Sequence, residues 1–193
     1  ESVFIVYPAE GVHEGYGESS LQLQKEKKNT AKAPLNIALE AKEYTITFAA
    51  NKKTLTRKEL FDWSQESDEQ IRYYSGTATY KTTFRWKNKP NKDQQIYLNL
   101  GTVYNLATVR VNGVDCGTIW TAPYRADITG ALKKGINELE IEVTNTWANA
   151  LTGADEGKAP FSGIWTNAKY RRQEKTLLPA GLLGPVSFLS FRL

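Results

Sequence analysis

The sequence predicts an all-β fold, a jelly-roll β-sandwich preceded by a short β segment. Three observations carry this: apolar and polar residues alternate in one run after another, each run is about five to eight residues long, and turn-forming residues separate the runs. Half-buried antiparallel strands read this way, with one face on a core and the other in water.

The elements follow in chain order. Ser20 to Lys25 and Leu35 to Glu40 are strand candidates within residues 1–43, which also hold a Gly-rich loop from Gly11 to Gly17. That part is short for a domain, so it reads as the tail of a preceding domain, with the sandwich spanning residues 44–193. Tyr44, Ile46 and Phe48 alternate with Thr45 and Thr47. Thr56 and Glu59 have capping-box spacing, which predicts a short helix over Thr56 to Trp63. From Thr77 to Trp86, Ala78, Tyr80, Thr82, Phe84 and Trp86 share one face, and Trp86 reads as core beside Phe84. Lys89 to Asp93 turns the chain into a strand carrying Ile96, Leu98 and Leu100. Ala107, Val109 and Val111 then run into Asn112-Gly113, a pair suited to a type I′ hairpin turn, where both central residues need positive φ. Asp127 to Leu132 reads as one turn of helix with Asp127 as its N-cap. After the turn at Lys134 to Asn137, Leu139, Ile141 and Val143 alternate with Glu138, Glu140 and Glu142.

Composition removes several classes of function. Of 193 residues, 40% are apolar and 24% charged, ordinary for a globular chain with a substantial core. No apolar stretch approaches the roughly 18–20 residues that a membrane-spanning helix needs, so no membrane partner is expected. One cysteine, Cys116, cannot form an internal disulfide or a multi-cysteine zinc site, and it reads as a small buried hydrophobe. One histidine, His13, excludes any constellation needing two imidazoles and reads as a loop residue. The 25 basic and 21 acidic residues are interspersed. The basic runs Lys25 to Lys28 and Arg171-Arg172, beside Tyr170, read as solvated surface, so no nucleic-acid partner is expected. The chain begins at Glu1, contains no Met, and opens on a ready-made strand at Ser2 to Tyr7. This predicts a piece excised from something larger.

From about Tyr44 onward the order of motifs resembles the sugar-binding β-sandwich of glycoside hydrolase family 2, a galactose-binding-like jelly roll. The carrying residues are Tyr80 to Phe84, Leu98 to Gly101, Ala107 to Gly113, Tyr124 to Thr129 and Lys134 to Leu139. A closer resemblance is to the C-terminal region of family 106 α-L-rhamnosidase-like proteins. It rests on Leu60 to Trp63, Tyr74 to Tyr80, Asn145 to Asn149 and Leu178 to Val186. The resemblance implies a secreted or periplasmic glycoside hydrolase acting on a plant polysaccharide or another rhamnose-containing glycan. Its catalytic domain would lie N-terminal to this segment and would be the domain's intramolecular partner. It also implies that a structural calcium is a metal such a fold can accept. Asp62, Asp68 and Asp127 are the candidates, but no compact Asp-x-Asp spacing appears and no metal residue is assigned.

Catalysis within the segment is not expected. Most glycosidases need two carboxylates facing each other across the scissile bond. Glu138, Glu140 and Glu142 lie in a row on one strand face, the pattern of a solvated face. Asp155-Glu156-Gly157 reads as a polar turn. Sugar binding calls for exposed rings as platforms and planar polar groups that fix orientation. Trp120, Tyr124, Arg125, Asn145, Trp147 and Trp165 fall near strand ends or in loops and are the candidate carbohydrate-binding residues. Each ring has a core role as its alternative, because sandwich cores use Trp and Tyr heavily. The expected function is a non-catalytic, carbohydrate-binding accessory domain. The alternatives are a structural domain packing on the catalytic barrel without a sugar site, and a protein-adhesion module marked by a large apolar patch.

Overall fold

The computed structural model describes residues 34–167 and 176–192. Their elements are β1 (Leu35–Ala38), β2 (Tyr44–Phe48), β3 (Thr54–Arg57), α1 (Glu69–Arg72), β4 (Thr77–Trp86), β5 (Gln94–Asn99) and β6 (Thr102–Tyr104). They continue with β7 (Leu106–Val111), β8 (Val114–Ile119), β9 (Arg125–Asp127), β10 (Gly135–Thr144), α2 (Ala148–Asp155), β11 (Gly181–Gly184) and β12 (Ser187–Arg192). The fold is all-β, as the alternation predicts. A six-stranded sheet in the order β3-β2-β4-β10-β7-β8 faces a four-stranded sheet in the order β1-β12-β5-β9. A small sheet pairs β11 with β6, and every strand pairing is antiparallel.

The alternating apolar residues point inward. Ile46, Phe48, Ala78, Tyr80, Val109, Val111, Ile141 and Val143 from the larger sheet are buried with Ile96, Leu98 and Phe188 from the smaller one. Across the two sheets, Phe84 and Phe188 bring their ring centroids to 4.9 Å. Trp86 closes the same cluster edge-on at 5.0 Å from Phe188, but it is only half-buried because β4 ends there. The outward residues form rows across the larger sheet. Thr56, Thr45, Lys81, Glu140, Arg110 and Asp115 stand side by side on six strands. The expected Glu row lies on this outer face.

Asn112 and Gly113 have φ of 53° and 78°, the positive pair a type I′ turn needs, and they join β7 to β8. The 3₁₀ turn after β9 spans Thr129–Ala131, inside the Asp127 to Leu132 turn the sequence predicts, with Ile128 rather than Asp127 at its N-cap position. Asp127 still serves it, accepting from the Thr129 amide at 2.9 Å and the Thr129 hydroxyl at 2.6 Å.

Several expectations are corrected. The helix predicted over Thr56 to Trp63 is absent: Thr56 pairs with Thr45 in the β2–β3 hairpin, and half-buried Leu55 packs on the core. β-Branched Thr54 and Thr56 suit that strand better than a helix. The caps lie further on, where Asp62 accepts from Ser64 and Asp68 from Gln70, starting the Trp63–Gln65 turn and α1. Leu35–Ala38, assigned by sequence to the segment before residue 44, pairs with β12 in the smaller sheet. Its four residues are all exposed, so alternation carried no information about its place. Cys116 is half-buried, because β8 is an edge strand. The strand candidate Ser20 to Lys25, the Gly11 to Gly17 loop with His13, and the runs Lys25 to Lys28 and Tyr170 to Arg172 lie outside the described residues. Among the described residues, no helix is long and apolar enough to cross a membrane.

Antiparallel register gives the sandwich two distinct ends. At one, the loop end, lie Thr77, Thr144, Leu106 and Ile119 of the larger sheet with Asn99 and Ser187 of the smaller. At the other, the hairpin end, lie Trp86, Gly135, the Asn112-Gly113 turn and the Gln94–Arg192 pair.

Candidate functional site

Five of the six candidate sugar-binding residues follow or precede a strand terminus at the loop end. Trp120 follows β8 and Arg125 opens β9, with Tyr124 before it. Asn145 and Trp147 follow β10, and Trp165 lies beyond α2. Trp120 and Trp165 are each 76% exposed and Trp147 is 56% exposed, so none of the three is a core residue. The core alternative holds instead for Trp63, which is fully buried.

The remaining candidates are partly engaged within the fold. The Tyr124 hydroxyl donates to the Asn105 carbonyl at 2.8 Å, tying the 120–124 loop to the start of β7. The amide of Asn105 donates to the Thr144 carbonyl at 3.0 Å, so this contact leads on to Asn145. Asn145 uses both ends of its amide: Oδ1 accepts from the Gly76 N–H at 2.8 Å and Nδ2 donates to the Tyr74 carbonyl at 2.9 Å. It therefore holds the entry to β4 and keeps one N–H for another partner. Arg125 is exposed and forms no ion pair among the described residues.

A rigid aromatic scaffold supports one of the exposed rings. Trp147 meets Phe161 edge-on at 6.2 Å, and Phe161 meets buried Tyr74 at 6.0 Å. Tyr74 in turn packs at 4.9 Å on Phe48 and 5.7 Å on Trp63. Edge-to-face contacts of this kind fix ring orientation. Phe161 was missed in the sequence because it stands in a Gly-containing loop with no periodicity. Asn149 is also buried, and its amide pairs with both backbone groups of Leu178, at 2.7 and 2.8 Å. It draws the returning chain back over α2. No ring contact among the described residues joins Trp120, Trp147 and Trp165 to one another.

The carboxylates at this end are engaged in structure. Asp62 Oδ1 accepts from the Ser64 and Ala180 amides, each at 2.9 Å. Asp68 accepts from Gln70 and pairs with Lys53, whose ammonium holds the Asp68 carboxyl below its usual range. Glu156 accepts from the Tyr73 hydroxyl at 2.9 Å, with Lys158 Nζ at 3.4 Å. With Asp127 bound to Thr129, the three candidate calcium ligands each serve a local turn. No group of three or more His, Cys, Asp or Glu able to hold a metal occurs among the described residues.

Two cavities lie elsewhere. One of about 500 Å³ sits on the outer face of the larger sheet, between Lys42-Glu43 and Gly113. Its charges are matched internally: Glu140 lies 2.9 Å from Lys81 and 3.0 Å from Arg110, and Arg110 also reaches Glu142 at 3.1 Å. Lys81 keeps the Glu140 carboxyl below its ordinary value. The other cavity, of about 440 Å³, lies toward the hairpin end.

Residues 52–177 match the family model for the glycosyl hydrolase 2 galactose-binding domain-like fold. A protein of Formosa agariphila described as "Putative beta-glucuronidase" is 39% identical over 153 residues, which cover 66% of this chain and 13% of that protein. The solved structure of a rhamnosidase from Novosphingobium sp. PP1Y is similar at 36% identity with a TM-score of 0.72, over 81% of this chain and 15% of that one. A Ruminococcus gnavus β-glucuronidase shares the fold at 17% identity and a TM-score of 0.57, over 83% of this chain and 29% of that one. The chain thus spans a small fraction of each of these proteins. On the match over residues 52–177, the chain belongs to the glycosyl hydrolase 2 galactose-binding domain-like family.

Proposed function

We propose that this chain is a non-catalytic accessory domain of a larger, rhamnosidase-like glycoside hydrolase of the periplasm or cell exterior, and that its loop end binds carbohydrate. The observation that carries the reading is that Trp120 and Trp147, each more than half exposed, follow strands that finish at the loop end, with Trp165 equally exposed beyond α2. Leaving such large rings in water is unfavourable, and a sugar's C–H face covers them well. Arg125 and the unused N–H of Asn145 supply polar partners beside them. Similarity to the Novosphingobium rhamnosidase supports the rhamnosidase-like parent.

A second reading has the same rings packing against the catalytic domain. It is favoured by the small share, 13–15%, that this chain takes of two of its relatives. The experiment separating the two is titration with rhamnose, galactose and pectic oligosaccharides, followed by Trp fluorescence and calorimetry. Saturable binding is expected, weakened about 30-fold in Trp147→Ala or Trp165→Ala, on the scale of about 2 kcal/mol for a hot-spot ring. Melting temperatures should stay within about 2 °C of the parent, as for exposed positions. Absence of binding up to millimolar sugar would overturn the carbohydrate reading in favour of packing.

A further inference from the structure

The hairpin end carries a surface that the loop-end reading does not use. The β4–β5 connection crosses it between the sheets with Lys87, Lys89 and Lys92. Register pairs Gly135 with Trp86, which sets Lys133 and Lys134 beside the base of that connection. Arg85 near the end of β4 and Arg192, opposite Gln94, complete the group. None of these seven cations forms an ion pair among the described residues. The carboxylates nearby are Glu40, Asp93, Asp127 and Glu138, so positive charge is in excess. Asp127 is further occupied by Thr129.

Beside this group opens the cavity of about 440 Å³, lined by Ile37, Phe84, Trp86, Asn88, Gln94 and Phe188 among others. Its volume is in the range of small-ligand sites, and an apolar wall with a few polar groups is their usual make-up. Phe84 and Phe188 are buried, while Trp86 and Ile37 keep apolar surface open to the cavity. The cavity therefore offers an aromatic wall, the Asn88 amide and the cations Arg85 and Lys87 beside Glu40, with the other lysines on the connection and turn around it; Gln94 donates to the Ser190 hydroxyl at 2.9 Å.

We infer that the hairpin end is a binding site for an anionic polysaccharide: one sugar ring lies against the Trp86 wall, and carboxylate or sulfate groups along the chain meet the lysines. A nucleic acid fits less well, because single strands are held on exposed aromatic platforms. Among the described residues the most exposed tryptophans are Trp120 and Trp165, and neither lines this cavity. The inference is independent of the loop-end reading and survives its failure.

The test uses the full chain with polygalacturonate, dextran sulfate, uncharged dextran, single-stranded DNA and phosphatidylserine vesicles. Binding to polygalacturonate or dextran sulfate, but not to dextran, is expected, and comparison of the two distinguishes carboxylate from sulfate. Affinity should fall about tenfold between about 50 and 300 mM salt, as screening and counterion competition require. The variant Lys87→Glu/Lys89→Glu/Lys133→Glu should weaken binding at least about tenfold without changing the melting temperature, since these side chains are exposed. Lys52→Glu, an exposed cation in the β2–β3 turn away from this group, should leave it unchanged. Equal binding by the triple variant would overturn the inference. Tighter binding of DNA or vesicles than of either polysaccharide would also overturn it, by showing a general polycation surface.

Discussion

At Gly181 the backbone runs at φ +102° directly against the indole of Trp63. A Cβ there would stand 2.7 Å from Trp63 Cε2 and 2.8 Å from Cδ1, far inside ordinary contact. The indole has nowhere to retreat. It is fully buried, and its Nε1 donates at 2.7 Å to the Tyr80 hydroxyl, whose oxygen also accepts from the Leu182 amide at 3.1 Å. Gly181→Ala would impose a strained φ on a residue with a Cβ and push the ring off its partner. A loss of about 2–4 kcal/mol in urea unfolding is expected. A loss under about 1 kcal/mol would show that the ring can shift. Asn137 illustrates the other kind of buried residue. Both its amide hydrogens and both its acceptor positions are used, by Lys133, Gly135 and Asn112. The sequence marks it as a turn residue, but nothing local reveals that the turn is buried, because its distant partner, Asn112, comes from the β7–β8 turn.

At the scale of elements, the strands were legible where one face meets the core and the other meets water. β2, β4, β7 and β10 each show their apolar alternation directly as burial. β1 was legible as a strand but not in its place in the sandwich, since every residue is exposed, and the reading failed at β3, where two threonines and a capping-box coincidence mimicked a helix start. Both helices were missed for a different reason. α1 is a single turn, and α2 includes Gly153, whose helix propensity is poor. Gly153 is there because a Cβ would come within 2.8 Å of the Tyr73 side chain, a packing need invisible to periodicity. Five of the six candidates were legible as positions near strand ends, but the residues that support them were not. Asn149, which secures Leu178, is one of these. Asn149→Ala should remove both hydrogen bonds to the Leu178 backbone, destabilising the fold by about 1–2 kcal/mol. Hydrogen exchange gives the element-level readout: protection of the Leu178 amide should fall at least about tenfold. Unchanged protection there would mean that the return segment is held by other contacts.

At the scale of the whole molecule, both sheets close on one aromatic-rich core that includes buried tyrosines. Tyr44, only 5% exposed, has its hydroxyl pKa pushed up to about 12 by burial. Burial also raises the hydroxyl pKa of Tyr74 and of Tyr80. An unfolded tyrosine titrates near 10, so between about pH 10 and 12 the unfolded chain sheds protons that the folded chain keeps. Bound protons are then more numerous in the folded state, and stability falls as pH rises through that window. Below pH 10 the tyrosines are protonated in both states and contribute no slope. Tyr44 alone accounts for about 2–3 kcal/mol by pH 12, at about 1.4 kcal/mol per pKa unit, and Tyr74 and Tyr80 add to it. The urea midpoint should therefore decline steeply above pH 10, while tyrosinate absorbance of the folded protein lags behind that of a tyrosine peptide. Tyr44→Phe should make the decline shallower. It should leave a residual slope, because Tyr74 and Tyr80 still titrate late. Constant stability to pH 12 would mean that these hydroxyls ionise in the folded state, with the core around them open to water.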